Sequence, residues 1–166
     1  MRSDRKKIPL RDLRTISASR AVRHPDCDYA GDIDVHLVVC ADDGKPFEDG
    51  AAAAIACENV EFYSRKLGYR LYGYCLMPDH LHVLLSPGKS KTEIGEWLRQ
   101  FKSYTTNRYT RMTGRPVLWQ RSAYDHVCRG EETAEKVLAY IVQNPVRAQL
   151  VENWQDWRWT KVFIVL

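Results

Sequence analysis

The sequence predicts an α+β domain: a ferredoxin-like split βαββαβ antiparallel sheet with an added C-terminal helix. Three observations predict it. Short Val- and Leu-rich runs that alternate like strands are separated by longer runs of helical period. Their order is strand, helix, strand, strand, helix, strand, helix, and the first six are the elements of the split unit. A tight turn joins the second and third strands, as an antiparallel hairpin requires. Such a domain has four strands and two helices layered on one face of the sheet.

Each element has its own signal. Residues 34–41, "DVHLVVCA", alternate and are rich in Val, which predicts the first strand; "DDGKP" breaks it. Residues 49–67 predict a helix with Ala-rich filling, stopped by Gly68. "YRLYGYCLM" predicts the second strand, Pro78-Asp79 the turn, and "HLHVLLS" the third strand, which Pro87-Gly88 ends. Residues 91–112 place Ile94, Trp97, Leu98, Phe101 and Tyr104 at helical spacing, ahead of Gly114 and Pro116. "SAYDHVCR" predicts the fourth strand, and residues 131–144 a short helix that Pro145 ends. The tail "WQDWRWTKVFIVL" is aromatic, then apolar, and either packs on the domain or recruits a partner.

At 166 residues the chain is long enough for one domain with a real core. It divides into a basic N-terminal arm (1–30), a catalytic domain (31–153) and the tail (154–166). No apolar stretch approaches the ~18 residues of a membrane span. The basic N-terminus lacks the apolar centre of a signal peptide, so a cytoplasmic protein is the default expectation. Five cysteines without CxxC spacing predict reduced thiols, not a disulfide scaffold or a zinc ribbon. The net charge of +4 is unevenly spread. Bases dominate residues 1–23 and 63–127, and acids dominate 24–62, a distribution that suits a phosphate-rich partner.

"MPDHLHVLLSP" carries the chemistry. Successive strand residues point to opposite faces, so His80, His82 and Leu84 share one face and Leu81, Val83 and Leu85 the other. The apolar trio belongs beneath the helices, which leaves both imidazoles on the open face as two cis ligands for one metal ion. A third ligand is then needed. In "AEKVLAYIVQNPVRAQLV", Tyr140 and Asn144 are four apart and share a helix face. Asn144 offers a carbonyl oxygen suited to Mg²⁺ or Mn²⁺, and Tyr140 a phenol able to attack a phosphate. Asp79 shapes the turn rather than binding metal, and His24 and His36 carry little signal.

"YGYCLMPDHLHVLLSP", "LWQRSAYDHVCR" and "LAYIVQNPVRAQLV" resemble, in this order and spacing, the REP-associated tyrosine transposases within the single-tyrosine HUH transposases. The resemblance covers roughly half the chain, from about Tyr72 to Val151. It implies His80 and His82 as metal ligands, Tyr140 as the nucleophile and Asn144 as third ligand, where other HUH transposases often have Gln. It also implies a single-stranded DNA substrate, often a palindromic hairpin, and a 5′-phosphotyrosine intermediate formed with Mg²⁺ or Mn²⁺. A single tyrosine is compatible with a monomer or a homodimer.

Tyr104 is the rival nucleophile, but its phase with Trp97 and Phe101 assigns it to the core. Arg99, Lys102, Arg108, Arg111, Arg115 and Arg121 are candidate phosphate contacts, with Trp119, Tyr124 and Tyr109 available to stack on bases. Asp125 and His126 support the site, contact DNA or are structural. The N-terminal arm is expected to grip a hairpin stem or flanking bases. Three other functions compete: a hairpin-binding relative that does not cut, a metal-dependent hydrolase, and a ferredoxin-like RNA-binding domain.

Overall fold

In β1 (Val35–Cys40), Val35, Leu37 and Val39 are buried in one core, while His36, Val38 and Cys40 face the other way. The computed structural model describes residues 33–116, 118–128 and 133–164. The N-terminal arm, His24 and Cys27 lie outside the described residues. Helix α1 (Gly50–Lys66) begins where the Asp49 carboxylate accepts the Ala51 N–H at 2.8 Å. Its inward stripe of Ala52, Ala53, Ala56 and Val60 is small enough to bring the helix close to the sheet.

Strands β2 (Arg70–Leu76) and β3 (His80–Ser86) form the expected hairpin, closed by Met77 N–H donating to the His80 carbonyl at 2.7 Å. Helix α2 (Ile94–Thr113) buries Trp97, Phe101, Thr105 and Tyr109, and Gly114 in the left-handed region (φ +75°) ends it. The buried stripe steps by four, so Thr105 takes the inward place that the sequence reading gave to Tyr104. Tyr104 is 48% exposed instead.

Strand β4 (Tyr124–Val127) is short, and α3 (Ala134–Val142) starts at Thr133, whose hydroxyl accepts the Lys136 N–H. Pro145 does not end the helical path. After a break at Gln143 the chain resumes as one turn, α4 (Asn144–Arg147), because proline is tolerated in the first turn, where its missing N–H costs nothing. The tail packs on the domain. Strand β5 (Thr160–Val162) pairs with β2 and adds a fifth strand to the sheet.

The sheet order is β4-β1-β3-β2-β5, and every neighbouring pair is antiparallel. Helices α1 and α2 cover one face over a core of Val35, Leu37, Leu81, Val83, Leu85, Trp97 and Phe101. The other face is not open. Helix α3 lies on it, with Leu138, Ile141 and Val142 clustered against Tyr72, Cys75, Met77 and Leu84, and with Trp154, Trp157 and Val162 of the tail alongside. Gly73 permits this approach: a Cβ there would lie 2.7 Å from both a Leu138 methyl and the Lys161 carbonyl. Among the described residues no helix is long and apolar enough to cross a membrane.

Candidate active site

The β1–β3 register sets Val38 opposite His82 and Cys40 opposite His80, so the histidines lie on a central strand beside β1 and beneath the edge of α3. His80 is half-buried and His82 only 4% exposed, which corrects the expectation of two imidazoles on an open face. Their Nε2 atoms approach to 3.0 Å with ring planes near perpendicular. That separation matches two nitrogens at right angles about an ion some ~2.1 Å from each, the usual metal–imidazole distance. The pair therefore fits a divalent cation.

Each ring is held from behind. The Asp79 carboxylate lies 2.6 Å from His80 Nδ1, and that hydrogen bond is the main reason its pKa falls below the usual carboxylate value. The turn residue thus also orients a candidate ligand, a carboxylate–histidine arrangement common behind metal sites. His82 Nδ1 lies 3.0 Å from His36 Nε2. Burial holds His82 well below its ordinary pKa, reinforced by His36, His80 and Arg147. Burial also pushes His36 down to about 4, with His126 adding to the effect. Both rings are neutral at pH 7, and a neutral imidazole is the form that binds metal.

Tyr140 is 49% exposed on α3. The Arg147 guanidinium lies 4.1 Å from its ring centre and donates to the Tyr140 carbonyl at 2.7 Å. Tyr140 belongs to α3, the helix that packs against β2 and β3 on the face of the sheet that also carries His82. Asn144 differs from Tyr140 in burial, at 8% exposed, because the chain breaks at Gln143 between them. Its amide donates to the Ile141 carbonyl at 2.7 Å, which leaves the side-chain oxygen as the group able to meet a cation. That bond runs back to the end of α3, not to the histidines. Among the described residues no group of three or more His, Cys, Asp and Glu side chains is arranged to hold an ion.

Several residues read as DNA contacts are engaged inside the molecule. Trp119 is buried against Phe47 and Phe101 and donates to Thr105, which leaves no face for a base. Tyr109 is 4% exposed and equally unavailable. The Lys102 ammonium donates to the carbonyls of Gln120, Arg121 and Ser122 and ties down the loop before β4. Arg99 pairs with Glu96, and Arg108 with Glu58. Arg111, Arg115 and Arg121 are exposed, Tyr124 is half-buried, and His126 is exposed opposite His36 on β4. The sequence reading missed His36 and Arg147. Alternation alone put His36 off the helix-covered face, but its place beside His82 depends on the β1–β3 register. Arg147 stood in the "NPVR" motif without a role.

The sequence profile described as "Transposase IS200 like" matches residues 30–144, well over half of the chain. The chain belongs to the IS200-like transposase family. A Haemophilus influenzae protein named for the REP-associated tyrosine transposases is 29% identical over 96 residues, or 50% of this chain and 53% of that protein. A second H. influenzae protein, without an assigned function, is 31% identical over 75 residues, covering 45% of this chain and 42% of its own length. The matches thus span about half the length of these curated relatives. Among solved structures, a REP-associated tyrosine transposase bound to a REP hairpin superposes with a TM-score of 0.68 at 16% identity, covering 84% of this chain and 82% of that one. The two chains share one fold.

Proposed function

We propose that this IS200-like transposase binds single-stranded DNA containing palindromic hairpins and cleaves and rejoins it through a 5′-phosphotyrosine intermediate on Tyr140. The observation that carries the reading is the convergence of the His80 and His82 Nε2 nitrogens at 3.0 Å, beside the helix that bears an exposed tyrosine. His80 and His82 would hold Mg²⁺ or Mn²⁺, with the Asn144 side-chain oxygen as third ligand. When bound, that cation polarises the scissile phosphate and offsets the charge that develops on it.

The chain's own residues account for the rest. The Tyr140 oxygen forms a bond to phosphorus as the bond to the 3′-oxygen breaks. The phenol gives up its proton, and the departing 3′-oxygen takes one. One phosphodiester is exchanged for another, so a 3′-hydroxyl can later reverse the step and rejoin the strand. Arg147, stacked on the Tyr140 ring, supplies a positive charge where the phosphate would sit. Arg111, Arg115 and Arg121 remain as exposed candidates for phosphate contacts, with Tyr124 and His126 on β4 as further candidates. An RNA-binding module of this topology would present stacking aromatics on an open sheet face, and α3 covers that face here.

The test uses purified protein, Mn²⁺ and 3′-labelled hairpin oligonucleotides drawn from repeats flanking its own gene, resolved on a denaturing gel. A labelled protein–DNA adduct is expected from the unaltered chain and from Tyr104→Phe, and none from Tyr140→Phe. Loss of the adduct in Tyr104→Phe alone would move the nucleophile to α2. Tight hairpin binding without any adduct would identify a DNA-binding relative that does not cut.

A further inference from the structure

The two candidate ligands are supported differently. The carboxylate behind His80 comes from the neighbouring residue in the turn, whereas the support behind His82 comes from another strand. On β1, His36 pairs with Leu84, which makes it the diagonal cross-strand neighbour of His82, within reach of a ring. The two ring centres are 5.2 Å apart, and the single polar contact between them joins His36 Nε2 to His82 Nδ1 at 3.0 Å.

His36 is not itself a third ligand. The nitrogens of an imidazole lie on opposite sides of Cε1, so a group bonded to Nδ1 of His82 cannot also meet a cation at its Nε2. The contact instead decides a tautomer. One of the two facing nitrogens must carry the hydrogen, and a ring that binds metal through Nε2 carries its hydrogen on Nδ1. We propose that His36 is a positioning residue of the metal centre: its Nε2 accepts the Nδ1 hydrogen of His82, keeping the His82 lone pair on Nε2 and aiming it at the ion between the two histidines. The role rests on the metal-site reading above. It goes further by assigning each ligand its own acceptor, Asp79 for His80 and His36 for His82, so that both present the same nitrogen to one point.

Two substitutions separate the role from simple packing. His36→Phe keeps a ring but offers no acceptor. His36→Gln places an amide oxygen near the position of Nε2. Mn²⁺ affinity is measured without DNA, by the electron paramagnetic resonance signal of free Mn²⁺, on the full chain, both variants and His80→Ala. Nitrogen-15 spectra of the metal-free proteins report the His82 tautomer. The expected result is a 10–100-fold loss of Mn²⁺ affinity in His36→Phe, the usual cost of losing such a partner. His82 should then appear as mixed tautomers, and His36→Gln should stay within a few-fold of the unaltered chain with His82 protonated on Nδ1. Unchanged affinity in His36→Phe would overturn the role of His36 and leave the metal site standing. Equal losses in the Phe and Gln variants would reduce His36 to a packing residue. If the unaltered chain binds Mn²⁺ no better than His80→Ala, the metal-site reading falls and this role with it.

Discussion

His36 and His82 link the site to acid stability. An unfolded chain takes up a proton on each near pH 6.5, but His36 in the fold resists until about pH 4 and His82 is likewise held down. Because the unfolded state then binds more protons, stability is intact above about pH 6.5 and falls with pH through this window. For His36 the loss continues to about pH 4, at no more than roughly 1.4 kcal/mol per pH unit. Urea midpoints at pH 7, 5.5 and 4.5 should therefore decline, and His36→Gln should flatten the decline by one proton's share. An equal slope in that variant would show that other groups drive it. Arg147 makes a separate prediction. Arg147→Ala removes both its charge and the ring contact at Tyr140, so adduct yield should drop several-fold while melting temperature barely moves, because the arginine is exposed.

At the scale of elements, the site depends on how α3 seats against β2. Gly73 lies where strand, helix and tail meet, and a methyl group there would press on both Leu138 and the Lys161 backbone. Gly73→Ala should cost about 1–3 kcal/mol, the usual penalty for overpacking. It should also lower adduct formation by shifting the helix that carries Tyr140. Thermal unfolding and the gel assay read the two effects, and a variant as stable and active as the original would show that α3 gives way freely.

Most elements were legible in the sequence, because periods of two and 3.6 are local signals. What depended on distant partners was not. The phase of α2 was ambiguous between Tyr104 and Thr105 until the sheet beneath it was known. "TKV" has too little alternation to name the strand it joins. The shared face of His80 and His82 was readable because two positions on one strand fix it, whereas Asp79, though it adjoins them in sequence, reads only as a turn residue. His36 required the pairing of β1 with β3, which no single-strand pattern encodes. The catalytic reading of Tyr140 came from the resemblance, since an exposed tyrosine on an amphipathic helix is otherwise unremarkable.

Across the whole molecule, residues 154–164 join the sheet to the second core. Trp157 donates to the Leu76 carbonyl at 2.8 Å, Leu76 donates back to Trp159 at 2.9 Å, and Val162 packs beside Leu138. Removing the chain after Asn153 would bare the outer edge of β2 and uncover Cys75 and Leu138. The truncated protein should be less stable than the full chain by several kcal/mol, given the apolar side chains lost, so it should melt well below it and tend to associate through the exposed edge. Calorimetry and light scattering decide the point. An unchanged melting temperature would make the tail an accessory.

The sheet order also sorts the site by lifetime. β3 has a hydrogen-bonded strand on either side, whereas α3 rests on one apolar cluster and is followed by a helical break at Gln143. Backbone amides around His80 and His82 should therefore exchange with deuterium only as the whole domain opens, while those around Tyr140 exchange through smaller, more frequent openings. Under the mechanism proposed above, His80 and His82 would then remain in place while Tyr140 moves away and returns, the freedom a covalently held DNA end would need to meet a second strand.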